Sequence, residues 1–300
     1  MIELFLSSLN QFQKKETTLP KIIIVYGPTA CGKTALSIEL GKYLDTEIIS
    51  TDSRQIYKDM DIGTGKITEE EMQWIRHHML DIISPTEIFS MAEFGKTSLP
   101  MIEKIVQTWK IPILCWGTGL YIDSVLYEME IPDSEPDWKY REELEKIRIE
   151  KGNQFLWEML FRVDPLYARE LEINNFRYIM RGLEVFRETG KSKRESKNTK
   201  TLRFDPLFIS PYSDENRENL YKNINTRVLG MFENGLEKEV WKLIEKYSIG
   251  CPGLKTIGYK EVVDFLKGET SREKAIELVQ QHSRNYAKRQ ITWNRKYENI

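Results

Sequence analysis

Lys21-Ile-Ile-Ile-Val-Tyr-Gly-Pro-Thr-Ala-Cys-Gly-Lys-Thr34 decides the fold. From Ile22 to Tyr26 the run is apolar, mostly β-branched, too short for a helix and stopped by Gly27-Pro28, which predicts a strand buried on both faces. From Lys33 onward Leu36, Leu40, Tyr43 and Leu44 recur at helical spacing with polar residues between them. Strand, glycine turn and helix thus follow in order, and Gly27, Pro28, Thr29, Ala30, Cys31, Gly32, Lys33 and Thr34 fit GxxxxGK[ST] at that place. Consecutive N–H groups of such a loop curl around phosphate oxygens and the helix N-terminus adds positive potential. Lys33 supplies a point charge and Thr34 a hydroxyl for Mg²⁺. The loop leaves its ligand open: ATP is the default, and a diphosphate leaving group satisfies the same cradle.

Further short apolar runs at residues 47–50, 111–116 and 207–210 predict strands, with a helix over 92–109 between two of them. The expected class is α/β, a P-loop NTPase-like parallel sheet flanked by helices. The pattern breaks at Ile131-Pro-Asp-Ser-Glu-Pro136, and from Asp137 to about Arg187 three helical segments follow without a convincing strand. That predicts an all-helical insertion and three segments: a first core part over 20–131, the insertion over 132–200 and a second core part over 201–300. Residues 215–246 and 271–295 read as helices again.

Composition bounds the function classes. The 300 residues are 40% hydrophobic and 30% charged, an ordinary globular balance. Lys plus Arg number 44 against 46 Asp plus Glu, which excludes a globally basic nucleic-acid binder but leaves room for a locally basic face. Seven basic residues between Arg187 and Arg203, and Arg284, Lys288, Arg289, Arg295 and Lys296 near the end, are two such places. Cys31, Cys115 and Cys251 form no CxxC pair, which predicts reduced thiols in a cytoplasmic protein. Neither a signal peptide nor a membrane span is expected.

Two more strand ends carry polar side chains. Ile48-Ile-Ser-Thr-Asp-Ser-Arg-Gln-Ile-Tyr57 delivers Asp52 to the edge where open α/β sheets bind ligands. From these residues alone Asp52 is a general base, a Mg²⁺ ligand through water, or a turn cap. Met60-Asp-Ile-Gly-Thr-Gly-Lys66 lines a phosphate or forms a plain surface turn. Cys115-Trp-Gly-Thr-Gly-Leu-Tyr121 is a third strand end, whose glycines allow close backbone approach and whose Thr118 offers a hydroxyl.

Taken together, these blocks resemble the tRNA dimethylallyltransferases, most closely the bacterial form. The resemblance runs from about Lys21 to Tyr297 through GPTACGKT, ISTDSRQIYKDMDIGTGK, HHMLDI, GTGLY, NNFRYIMRGLEVFRETGK, RVLGMFENGLEKEV, IGYKE and YAKRQITW. It implies transfer of a dimethylallyl group from dimethylallyl diphosphate to N6 of the adenine 3′ to the anticodon, in tRNAs reading codons that begin with U. By the same resemblance Ala30 to Thr34 grip the diphosphate with Mg²⁺ on Thr34, Arg227 supports it, and Asp52 is the general base. Thr118 touches the target nucleotide and helps orient Asp52. Asp52, Ser53, Arg54, Gln55, Lys139, Arg177, Tyr178, Ile179, Met180 and Arg181 fall on the family's tRNA-contacting positions. So do Lys255, Thr256, Ile257, Gly258, Tyr259 and Lys260. The target base is expected to flip out of its stack, and the enzyme to act as a monomer.

The sequence departs from the family pattern at Cys31, usually serine, at Trp116, usually glycine, and at Tyr178, usually arginine. The thiol of Cys31 is expected to make the loop oxidisable. No C-terminal zinc-finger pattern is present, which under the resemblance points to a bacterial or organellar type, and His77 and His78 are read as structural. Three rivals stand beside this reading: an adenylate isopentenyltransferase acting on a free nucleotide, a P-loop small-molecule kinase, and a non-catalytic RNA-binding module.

Overall fold

A computed structural model describes residues 1–129, 137–195 and 198–297. In chain order the first elements are α1 (Leu6–Lys14), β1 (Lys21–Val25), α2 (Lys33–Leu44), β2 (Ile48–Thr51), α3 (Glu69–Met72) and β3 (His77–His78). There follow α4 (Met91–Gln107), β4 (Ile113–Trp116), α5 (Gly119–Leu126), β5 (Tyr127–Met129), α6 (Trp138–Val163), α7 (Pro165–Arg169) and α8 (Phe176–Thr189). The chain closes with β6 (Asn198–Leu202), β7 (Asp205–Ile209), α9 (Arg217–Glu233), α10 (Leu236–Tyr247), α11 (Tyr259–Leu266) and α12 (Arg272–Asn294).

Two compact units result, one of Met1–Tyr127 with Leu202–Ile300, the other Glu128–Thr201. In the first, five strands pair in the order β3-β2-β4-β1-β7, and every pairing is parallel. β1 lies between β4 and β7, so Ile22 to Val25 are wholly buried, each such side chain stabilising by about 1.5–3 kcal/mol relative to exposure. Leu36 and Leu40 of α2 are buried as their spacing requires, but Tyr43 is half-exposed and only its neighbour Leu44 packs partly against the core. Helix α1 carries no marker in the sequence reading; Leu9 and Phe12, three residues apart, dock it beside β1. No helix among the described residues is long and apolar enough to cross a membrane.

The parallel α/β class and the P-loop arrangement are therefore as expected. The helix expected over 215–246 is two, because Gly235 at φ +95° ends one and starts the next.

The second unit is helical from Trp138 to Thr189, and two strands at its ends, β5 and β6, form a separate two-stranded sheet. Gly152, at φ +82°, interrupts the long α6 where two helices were expected. Its core is Leu144, Leu156, Leu160, Ala168, Ile179 and Leu183. Inside it the Glu184 carboxylate, almost fully buried, meets Arg141 Nη2 at 2.7 Å and Arg181 Nη1 at 2.5 Å. Burial pushes that carboxyl up, but the hydrogen bonds and charges of Arg141 and Arg181 outweigh it and hold it below the usual carboxylate range. The Ile131–Pro136 break lies outside the described residues.

Candidate active site

The C-terminal ends of β1, β2 and β4 open into one polar cleft of about 710 Å³. After β1 the chain turns through Gly27 at φ +139°, Ala30 at φ +64° and Gly32 at φ +94°, into α2. Ala30 pays for a left-handed conformation that L-residues avoid, which is the curl a phosphate cradle needs. Lys33 Nζ bonds the Pro28 carbonyl at 2.6 Å across the loop, and Thr34 stands exposed on the first turn of α2. At Cys31, expected to make the loop oxidisable, burial raises the thiol pKa and the opposing charge of Lys33 is the smaller influence, which disfavours the thiolate.

Arg227 of α9 is where the charge balance of the cleft is decided. Burial lowers its pKa, and the carboxylates of Asp52 and Glu71 offset this only in part. Its Nη1 donates to Thr29 Oγ1 at 3.1 Å and its Nη2 to the Thr64 carbonyl at 3.4 Å, both neutral oxygens. Among the described residues it has no ion pair. A desolvated guanidinium with only neutral partners favours an anion in the space beside it. The guanidinium fits because residue 65 is glycine: a β-carbon there would fall on Arg227 Nη2.

The Asp61 to Lys66 turn is not a plain surface turn: Thr64, Gly65 and Lys66 line the cleft. Lys66 Nζ is buried into the Tyr57 carbonyl at 2.8 Å and Asp61 Oδ1 at 2.7 Å, while Gly65 makes room for Arg227. Glu239 of α10 holds the same turn, accepting the N–H groups of Asp61, Ile62 and Gly63 at 2.8–3.2 Å.

Asp52, at the end of β2, accepts the Arg54 N–H at 2.8 Å and packs against Gly117, where a β-carbon would collide with the carboxylate. Thr118 was expected to orient Asp52. Its hydroxyl instead accepts the Ser53 N–H at 3.2 Å and donates to Ser53 Oγ at 2.9 Å, so it fixes the following residue. Gln55 braces the wall, its amide taking Ser50 Oγ at 3.2 Å and donating to the Gly65 carbonyl at 3.1 Å. Two residues that sequence reasoning did not single out, Tyr286 and Gln290 of α12, both donate to the Gly117 carbonyl, at 2.9 and 3.1 Å. Tyr286 has its hydroxyl pKa raised by burial and by Asp52 nearby. Their only sequence signal is the block YAKRQITW.

The structure brings the loop, Asp52, Thr118 and Arg227 together. Of the other expected contacts, Arg54, Lys255 and Lys260 are exposed on the α/β unit, and Lys139, Arg177 and Tyr178 on the helical unit. Tyr259 and Thr256 are not available as surface side chains: Tyr259 is wholly buried against Gly63 with its hydroxyl 2.6 Å from Glu239 Oε1. Ile179 likewise belongs to the helical core, Ile257 and Met180 are partly buried, Gly258 caps α11, and Arg181 is engaged by Glu184. Three residues of the basic stretch from Arg187 have partners, Arg187 over the Tyr140 ring, Lys193 over Tyr167 and Arg194 paired to Glu170, while Lys191 is exposed. Lys197 of that stretch lies outside the described residues. In the second cluster Arg284 and Lys296 are bonded to Asn225 and Asp123, leaving Lys288, Arg289 and Arg295 exposed. His77 and His78 bond the Ile75 carbonyl and Glu47.

Comparison with known proteins finds one family. The family model described as IPP transferase matches residues 55–297. A tRNA dimethylallyltransferase of Bacillus cytotoxicus is 45% identical, covering 94% of this chain and 89% of its own. One from Caldanaerobacter subterraneus is 43% identical over 93% and 90%. The crystal structure of a full-length tRNA isopentenylpyrophosphate transferase from Bacillus halodurans superposes with a TM-score of 0.66 at 40% identity, covering 92% and 87%. A eukaryotic dimethylallyltransferase captured acting on tRNA gives 0.78 at 31% identity, covering 91% of this chain and 69% of that one.

Proposed function

The chain belongs to the IPP transferase family, the tRNA dimethylallyltransferases, and on that premise we propose that it moves a dimethylallyl group from dimethylallyl diphosphate to N6 of an adenine. The adenine is the one 3′-adjacent to the anticodon in tRNAs reading codons that begin with U, and the product is N6-dimethylallyladenosine. The observation that carries this reading is Arg227, a desolvated cation facing the phosphate loop whose hydrogen-bond partners are both neutral and whose burial the carboxylates of Asp52 and Glu71 offset only in part. An anionic diphosphate supplies its missing counter-charge.

Loss of diphosphate places positive charge on the allylic C1 and negative charge on the departing oxygen. Lys33, Arg227 and the N–H groups of the loop stabilise the leaving group as that charge grows. The exocyclic amine is a weak nucleophile because its lone pair is delocalised into the ring, and it sheds a proton as the C–N bond forms. Asp52 takes that proton. The Thr34 hydroxyl on the cleft wall is a hard oxygen donor that suits Mg²⁺. Bound there with the diphosphate, the ion would neutralise part of its charge. Arg54, Lys139, Arg177, Tyr178, Lys255 and Lys260 are the exposed side chains proposed to meet the anticodon stem-loop. The protein is proposed to act as a cytoplasmic monomer.

The test offers purified protein and Mg²⁺ labelled dimethylallyl diphosphate with four acceptors in parallel: an adenine-ending anticodon stem-loop, the same stem-loop lacking the target adenine, AMP and ATP. Label on the first alone is expected. Label on AMP or ATP makes the protein a nucleotide prenyltransferase, and no label on any acceptor defeats the reading.

A further inference from the structure

Gln290 makes two directional hydrogen bonds to two different parts of the cleft. Its Oε1 accepts the Thr29 N–H at 2.7 Å and its Nε2 donates to the Gly117 carbonyl at 3.1 Å. The side chain is buried, and the two ends of an amide are chemically distinct, so this pairing admits one orientation only. Each partner belongs to a different half of the chemistry. Thr29 opens the phosphate loop, and its hydroxyl receives Arg227. Gly117 lies against the Asp52 carboxylate, and its carbonyl also takes the Tyr286 hydroxyl at 2.9 Å. One amide therefore spans from the donor cradle to the proton acceptor.

We propose that Gln290 is a positioning residue, which sets Asp52 relative to the donor's reactive carbon by tying Gly117 to Thr29. The proposal rests on the reading of the cleft as a dimethylallyl-transfer site. Misplacement by about 1 Å is enough to cost roughly 100-fold in a reaction that depends on alignment. Gln290 lines the cleft but offers no charge to the diphosphate, so its loss acts on turnover while the diphosphate cradle keeps its own lysine, arginine and loop N–H groups.

Two substitutions test this. Gln290→Met keeps length and apolar volume but can make neither bond. Gln290→Glu restores both bonds when the introduced carboxyl is protonated, and sets an oxygen against the Gly117 carbonyl when it is ionised. The expected result for Gln290→Met is a kcat about 30-fold lower, with KM for dimethylallyl diphosphate and affinities for inorganic diphosphate and the stem-loop within about threefold of wild type. For Gln290→Glu the ratio of variant to wild-type kcat rises as pH falls from 8 to 6. Unchanged kcat in Gln290→Met overturns the role, as does a loss that follows a lowered melting temperature with a flat pH ratio in Gln290→Glu. Absence of transfer by the wild-type protein, with diphosphate binding intact, overturns the functional reading and this role together.

Discussion

Arg227 in the α/β unit, partly buried, and Glu184 in the helical unit, almost wholly buried, are two charges withdrawn from water, and they are treated in opposite ways. Arg227 reaches its cleft through space that Gly65 leaves open and meets two neutral oxygens. Glu184 is met by two arginines, each within 2.7 Å, and its charge is fully answered inside its own unit. Unanswered charge is unfavourable until something arrives to pair with it, whereas an answered one holds packed helices in place. The first arrangement suits binding and the second suits support.

The largest effect that would sharpen this contrast is at Asp52, the proposed proton acceptor. Asp52→Ala is expected to slow transfer about 1,000-fold, with stem-loop affinity by filter binding close to wild type; near-normal transfer would remove Asp52 from the base role. Arg227→Ala should raise KM for dimethylallyl diphosphate about 30-fold, the worth of charge-assisted hydrogen bonds, while thermal stability stays level or rises because a desolvated cation is gone. A falling melting temperature there would mean that Arg227 supports rather than binds. Gly65→Ala acts in the same direction, since the methyl displaces the guanidinium and the residue sits at φ +58°. An increase in donor KM of about tenfold is expected.

In the helical unit the expectation reverses. Glu184→Ala should destabilise by about 3 kcal/mol, seen as early exchange of α8 amides, and leave inorganic diphosphate affinity unchanged. The smallest effect is a difference in acid response. Burial holds His77 of β3 below its ordinary value of 6.5, so its neutral form is favoured by folding and the α/β unit loses stability as pH falls below that value. Glu184 is held below the usual carboxylate range, so its contribution is intact above about pH 4.3 and is lost only as pH falls through its lower folded value. Amide exchange at pH 5.5 should therefore quicken near β3 before it quickens in α8. The reverse order would break the comparison.

How far this was legible in the sequence depends on what each feature is made of. The phosphate loop declares itself because its backbone demands particular residue types in a row: Gly27 and Gly32 take positive φ angles, and Lys33 follows at once. Contacts that close across the chain leave no such local trace. Thr29 and Gln290 are 261 residues apart, and Gln290 reads only as one polar residue in a helical pattern. Gly65 looked like part of an ordinary turn because the arginine that needs it lies on another helix. Tyr259 shows the converse limit: a block resemblance assigns a residue to a surface, yet the side chain turns inward to Gly63 and Glu239.

The state of the cysteines has a practical consequence. Burial raises the pKa of Cys31 and Cys115, so at neutral pH neither offers much thiolate to an alkylating dye, and Cys251 is buried out of a dye's reach. A cysteine placed at an exposed site, such as Trp109→Cys on the α/β unit with Tyr178→Cys on the helical unit, would react first without stripping the native thiols. Two fluorophores attached that way would form a molecular ruler between the units, readable while stem-loop and diphosphate are added one at a time.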